Sequence, residues 1–580
     1  MKRHTHFTVQ GKPFFSIGGQ LHNSTGYALG AAGGEKYAQD TRTAFAALKA
    51  VGANTAAVPV CWDAFEPEEG KFDCDYVRRI IDRVREHGLH AILLWFASWK
   101  NGQMEYAPAW VKADRKRFVR ARCKDGTETA ALSPFYEENR LQDQRAFCRL
   151  MEVIRDYDAR TGTVIAVQVE NEPGMYAASV RDFSEKGTAA FEGPVPEAVI
   201  RAAQECAAQE EQGRQDGALV WTDGTRAVSG YVGRAWKENG CRTEGSWQEV
   251  FGSLGAELCM AWGTARYIDA IAEAGKQVYD LFLYVNVWLD GNGEKGWSLA
   301  GLDYPSGGAV SRALPIWRAA AEHLDALSPD TYEGDPVSVQ RTQALYDREG
   351  WAFYVPESGM TAVNASMAIE AAGKHAAIGY HVFGIESFLD EDGKLKERAE
   401  AVRHSFVMLE NAKELLLRYA GTQKIHTLIQ HAGQDSCRLA VGDLVCRASF
   451  AGAGPDYAGW VAMDFRHGRD LSGVNRVPVS LEEEMARGLL FQTGEREFYL
   501  VGHKVRLFWQ KMRMDGSIPA NQLNQQHQAY NMELMVIEEG HFEDGVFVAD
   551  KKRSGDEARH GIWAQYDCGV VHFVLGEQGL

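Results

Sequence analysis

Along the first 400 residues, short runs of apolar residues alternate with segments whose apolar positions recur every three or four residues. An unbroken apolar run predicts a strand buried on both faces, and the three-to-four spacing predicts an amphipathic helix. Eight runs have strand character: residues 14–19, 55–60, 90–95, 164–169, 281–288, 324–327, 351–355 and 376–380. Between them, residues 76–87 carry apolar side chains at 76, 77, 80, 81 and 84 and stop at Gly88. Residues 141–157 and 267–274 show the same spacing, and 395–419 read as a long final helix. This alternation predicts an α/β chain with a parallel sheet, and eight such units predict a (β/α)8 barrel. Residues 175–280 form a large insertion after the fourth strand, expected to overhang the barrel mouth.

After Gly421 the texture changes. Segments 425–430, 439–450, 459–465, 497–501, 505–509, 533–537 and 570–575 are short, β-rich and punctuated by Gly, Asp and Asn. That pattern predicts a β-sandwich. The expected organisation is a catalytic barrel over 1–424 and a β-sandwich domain over 425–580.

The fourth run ends in Gln168-Val169-Glu170-Asn171-Glu172-Pro173-Gly174, and the seventh in Pro356-Glu357-Ser358. Pro and Gly end strands, so these carboxylates sit at carboxyl tips, where a barrel keeps its chemistry. Tips four and seven face each other across the mouth. Two carboxylates about 5–5.5 Å apart there would suit retaining glycoside hydrolysis, and more than about 6.5 Å would suit inversion. Taken singly, each motif also fits a capping turn or a surface acid; together, in this order, they favour catalysis. Asn171 is placed to bond a sugar hydroxyl, and Tyr284 to donate to Glu357. By strand alternation Glu170 shares a face with Glu172 and would tune it.

Trp62, Trp99, Trp288 and Tyr332 fall at or beyond strand tips, with His22, Asn23, Lys100, Asn101 and Asn286 at the same level. Aromatic faces stack on sugar rings while polar groups take the hydroxyls. Core packing is the plainer account of any one of these aromatics; their clustering with polar residues favours a sugar site. Trp236, Trp247 and Trp262 lie inside the insertion, as lid contacts or core.

Composition narrows the partners. A net charge of −17 argues against nucleic acid and anionic membrane surfaces. No run of about 18 apolar residues predicts a membrane span, and the first residues have no signal-peptide core. The ten cysteines include no C-x-x-C pair, so neither a zinc ribbon nor a redox motif is expected. A cytoplasmic protein with reduced thiols, acting on small glycosides, is the expectation.

Gln168-Val169-Glu170-Asn171-Glu172, Trp62 with Glu66-Pro67 and Gly70-Lys71-Phe72-Asp73, and Gly18-Gly19-Gln20-Leu21-His22-Asn23 resemble glycoside hydrolase family 35. Residues 94–102 look like a bacterial subgroup of that family with a β-rich C-terminal domain. The resemblance implies a retaining β-galactosidase, with Glu172 as acid/base and Glu357 as nucleophile; the overhanging insertion, which could close one end of the groove, motivates an exo-acting one. It also implies no metal, no organic cofactor and a possible homo-oligomer. Commoner members carry Cys-Ala-Glu-Trp, with a sugar-binding Glu, where this chain has Phe96-Ala97-Ser98-Trp99. Because Ser98 cannot replace a carboxylate, β-glucosidase, β-xylosidase and α-L-arabinosidase activities stay open. A non-catalytic carbohydrate-binding protein is the remaining alternative.

Overall fold

The eight apolar runs build one parallel ring, seen in a computed structural model that describes residues 3–32, 38–215, 231–291, 298–450, 463–464, 469–470, 480–511, 532–553 and 561–577. Its strands are β1 (Ser16–Gln20), β2 (Thr55–Cys61), β3 (His90–Lys100) and β4 (Val164–Asn171). They continue as β5 (Phe282–Val287), β6 (Ala326–Thr331), β7 (Glu357–Ser358) and β8 (Gly379–Phe383). Neighbours follow in sequence from β1 to β7, and β8 pairs with β1. The ring shuts where Val355 bridges Tyr380, with the His381 amide donating to the Val355 carbonyl at 2.9 Å.

Three strands depart from expectation. β3 runs to Lys100, with a register shift against β4 between Trp95 and Lys100. Such bulges re-aim side chains beside active sites. β6 extends through Ser328-Pro329-Asp330, a turn-like tripeptide, because pairing with β5 up to Pro329↔Val287 overrides local preference. The seventh run, expected at 351–355, keeps a regular ladder only at Glu357–Ser358, because Pro356 has no N–H to offer.

Helices pack outside the ring: α1 (Cys74–Glu86), α2 (Glu137–Asp158), α3 (Gly255–Val278) and α4 (Glu397–Tyr419). In α1 the Asp73 carboxylate caps the Tyr76 amide, and Tyr76, Val77, Ile80, Ile81 and Val84 form the buried stripe that the spacing predicts. The N-terminal hairpin Phe7–Val9/Lys12–Phe14 inserts Phe7 among Ile92, Ile165, Phe282 and Tyr354, side chains of the barrel interior. Burying one such ring stabilises the fold by roughly 2–3 kcal/mol.

The C-terminal region carries two antiparallel sheets. The six-stranded sheet orders Ile425–Ile429, Arg487–Gln492, Glu497–His503, Val570–Glu577, Met532–Glu543 and Val546–Lys552. The four-stranded sheet orders Ser436–Val441, Leu444–Ser449, Val505–Lys511 and Ile562–Ala564. Leu490, Phe498 and Phe573 from the first share one core with Cys446, Leu507 and Trp509 from the second. The expected strand at 439–450 is a hairpin turned at Gly442, whose φ is +61°. Most of the expected strand at 459–465 lies outside the described residues.

The two regions share packing. Leu489, Phe491, Val501 and Val570 join the barrel's own apolar core. The fully buried Arg487 guanidinium donates to Ala401 O and Ser405 Oγ of α4, each at 2.6 Å. All ten cysteines are free, and no described helix is long and apolar enough to cross a membrane.

Candidate active site

The tip of β4 is built from backbone that side chains rarely adopt. Glu170 and Glu172 have φ of 64° and 45°, and Asn101, at the end of the neighbouring β3, has 52°. Non-glycine residues in this region are uncommon and cluster where function over-determines the backbone. The strain persists here because both turns are pinned. The Glu172 amide donates to Asn286 Oδ1 at 2.8 Å, and the Lys100 ammonium donates to Asn171 Oδ1 at 2.9 Å.

Glu172 and Glu357 face each other, joined by a third acid. One carboxyl oxygen from each of Glu172, Asp330 and Glu357 lies within 4.8 Å of the other two. All three acids are buried, with exposures of 8%, 3% and 4% for Glu172, Asp330 and Glu357. Burial, then the Glu357 charge, push the Glu172 carboxyl up to about 7, against the opposing pulls of Lys100 and a hydrogen bond with Asp330. Burial and the two glutamates hold Asp330 well above the ordinary carboxyl range. Glu357 is met by donors: Tyr332 hydroxyl on Oε2 at 2.8 Å and Asn286 Nδ2 on Oε1 at 3.3 Å. The donor is therefore Tyr332 rather than Tyr284. Tyr284 sits fully buried in the barrel interior, its ring edge-on to Tyr354 at 5.2 Å.

These acids open into a cavity of about 610 Å³, also lined by Lys100, Asn101, Trp288, Leu289, Tyr332, Glu333 and Phe383. Of the sequence-predicted residues, Lys100, Asn101, Glu172, Trp288, Tyr332 and Glu357 line it; Asn171 and Asn286 stand directly behind. The rest lie elsewhere. Trp62 is wholly buried and donates to Glu66 Oε2 at 2.9 Å; Glu66 also accepts from the Gly70 amide and from Arg145. The Trp62…Glu66…Gly70 motif is thus an internal clamp rather than a sugar platform. Trp99 is also fully buried, edge-on to Tyr267 at 4.7 Å. His22 is held by Ser387 and its amide by Glu386, flanking Phe383, and Asn23 opens the helix Asn23–Gly30.

Asp330, Phe383 and Leu289 were missed. Asp330 does follow a strand run in the sequence, but a run of four residues ending before Pro329 gave little reason to weigh its tip. The roof also differs from expectation. None of the described residues in 175–280 lines the cavity; segments after β5 and β6 do, and Tyr176 reaches only the back of Trp288, stacked at 5.1 Å. Trp247 and Trp262 line a separate outer cavity with Phe135 and Tyr267, and Trp236 bonds Arg242 O.

Glu170 does not share the face of Glu172. Its carboxyl accepts from the Ser98 and Trp99 amides at 3.1 and 2.7 Å and faces Asp143 of α2. Burial, then Asp143, hold Glu170 well above the usual carboxyl range, so the pair shares a proton. Asp143 also accepts from Ser98 Oγ at 2.5 Å, Trp95 Nε1 at 2.9 Å and Tyr267 at 3.2 Å. Ser98 therefore serves the wall beneath the site and does not reach the cavity.

By spacing alone, two described groups would admit a cation: the three active-site acids, and His404, Glu484 and His503. In the second, the Arg487 guanidinium already lies on Glu484 at 2.9 Å and holds its carboxyl well down despite burial.

The sequence profile of glycosyl hydrolases family 35 matches residues 6–249, and that of a domain of unknown function, DUF5597, matches residues 402–565. A β-galactosidase of Xanthomonas manihotis is 29% identical over 180 residues, covering 30% of this chain and 26% of that protein. The β-galactosidase-1-like protein 3 of Homo sapiens is 29% identical over 176 residues, covering 30% and 23%. The chain thus spans about a quarter of the length of these curated relatives. Among solved structures, the β-galactosidase of Rahnella sp. R3 is 16% identical with a TM-score of 0.44, covering 72% of this chain and 58% of that one. The catalytic domain of a β-amylase from Paenibacillus polymyxa is 13% identical with a TM-score of 0.43, covering 67% and 97%. At such scores neither structural likeness carries weight.

Proposed function

We propose, from the match of residues 6–249 to the profile of glycosyl hydrolases family 35, that this chain is a retaining β-galactosidase. The observation that carries the reading is the approach of the Glu172 and Glu357 oxygens to within 4.8 Å across the cavity. That spacing is nearer the gap that suits attack on the sugar by one carboxylate than the wider gap that holds the water of an inverting mechanism.

Glu172, which keeps its proton to about pH 7, is the acid. It protonates the glycosidic oxygen while Glu357, held by Tyr332 and Asn286, attacks the anomeric carbon. The C–O bond breaks with its electron pair on the leaving oxygen, and a glycosyl ester forms on Glu357. Glu172, now a carboxylate, takes a proton from water, which attacks the same carbon and frees Glu357. Trp288 and Phe383 offer apolar faces to the ring, and Lys100 and Asn101 offer polar partners to its hydroxyls. The 610 Å³ cavity has room for a small glycoside. The other sugar preferences rest on one observation: Ser98, which replaces the family's sugar-binding Glu, is turned away from the cavity.

Azide tests the roles. On an activated aryl β-galactoside, Glu172→Ala should yield the β-galactosyl azide and Glu357→Ala the α-azide. The reverse products would exchange the assignments, and turnover confined to glucosides, xylosides or arabinosides would replace the sugar.

A further inference from the structure

The third acid has no role in the two-carboxylate mechanism, and its surroundings define one. Asp330 is the penultimate residue of β6, directly beside Glu357 in the ladder. Its Oδ2 accepts from Asn286 Nδ2 at 2.8 Å. Its Oδ1 is buried and has no donor among the described residues. The ionisable groups that act on it are the Glu172 and Glu357 carboxyls, the Lys100 ammonium and the Tyr284, Tyr332, Tyr346 and Tyr354 hydroxyls. Lys100 already donates to Asn101 and Asn171, and Tyr332 to Glu357. One cation cannot neutralise three buried acids, and like charges this close do not all ionise. A proton on Oδ1, directed at Glu172, satisfies both the orphaned oxygen and the charge balance.

We propose that Asp330 is a positioning residue that keeps its proton through the cycle and donates a hydrogen bond to Glu172. The inference rests on Glu172 being the acid/base. As Glu172 gives its proton to the leaving oxygen it becomes an anion, and the hydrogen bond it accepts from Asp330 strengthens with that charge. Asp330 itself neither gains nor loses a proton. Asn286 fixes the geometry by holding the Glu172 amide, Asp330 and Glu357 at once.

The neutral donor can be copied by an amide. In Asp330→Asn, Oδ1 can accept from Asn286 while Nδ2 donates to Glu172. Asp330→Ala should lower kcat/KM about 100-fold, within the range of acid–base assistance. Its loss should be larger for poor leaving groups, and its alkaline limb should move to higher pH as Glu172 loses a donor. Asp330→Asn should recover most of that loss. A damaged Asp330→Asn equal to Asp330→Ala would mean that Asp330 acts through charge, and a wild-type-like Asp330→Ala would mean that it does nothing; either overturns the proposal. A second measurement is independent of turnover: at about pH 8 the wild type should show neutral-carboxyl infrared absorption beyond that of the Glu170–Asp143 pair, and this excess should vanish in Asp330→Asn. Its absence in the wild type would sink the proposal even if glycosides are cleaved. Its presence without any glycosidase activity would instead fault the functional reading.

Discussion

Glu172 is an acid held in strained backbone, buried, and set beside two more acids. Its raised proton affinity gives two expectations. The pH profile of kcat/KM should fall on the alkaline side with a midpoint near 7, where the acid loses its proton. Stability should respond with the same sign. A folded-state value raised from 4.5 to about 7 contributes stability that is complete below about pH 4.5 and lost as pH rises through 7. Glu172→Gln should therefore unfold later than wild type at pH 8, by roughly 3 kcal/mol, and match it near pH 4. Urea titrations at both pH values check this. The two glutamates were legible in the sequence because Pro173 and Pro356 mark strand ends. Tyr284 was misread because alternation says which face a side chain takes, not how deep in the barrel it sits. Trp62 and Trp99 were misread for the reason that governs most tryptophans: a large apolar surface is more often buried than displayed.

The β3–β4 pair shows how an element positions a site. Expectation treated Glu170 as a neighbour of Glu172, but positive φ at both residues breaks the alternation and turns Glu170 toward the helices. There it and Asp143 grip the last turn of β3, so that Lys100 and Asn101 arrive at the cavity. Asp143→Ala would take the shared acceptor from Ser98 Oγ, Trp95 Nε1 and Tyr267, leaving Trp95 Nε1 without one and Ser98 and Tyr267 with only each other, 2.8 Å apart. It should cost about 3–5 kcal/mol of stability, since several buried donors lose one partner. It should also lower kcat more than a surface alanine does, because the β3 tip slackens; chemical denaturation and kinetics on the same preparation would show both. The strands themselves were legible from period and punctuation. Their ends were not, because β6 and β3 extend by pairing with neighbours, and pairing is a long-range property that no local window contains.

At the scale of the whole molecule, the C-terminal sheets complete the barrel's packing. Arg487 reaches from the six-stranded sheet to two acceptors on α4, and Leu489, Phe491, Val501 and Val570 fill the same seam. Arg487→Ala leaves Ala401 O without that donor and Glu484 without its guanidinium. It should destabilise the seam by about 3–5 kcal/mol and split one calorimetric transition into two. The change of texture after Gly421 announced these sheets, but the seam residues are ordinary apolar positions whose partners lie some 80 residues away, as with Arg487 and Ser405 at a separation of 82. The barrel's own weak place is elsewhere. Because Pro356 interrupts the ladder, the wall bearing Glu357 hangs from two paired residues of β6 on one side and, on the other, from three backbone hydrogen bonds that Phe353 and Val355 share with residues 378–381. Backbone so sparsely bonded exchanges its amide protons through small local openings. A sugar lying between Glu172 and Glu357 would act as a missing stave, so saturation with ligand should slow exchange at Ser358 and Val355 far more than along the fully laddered interior of β4.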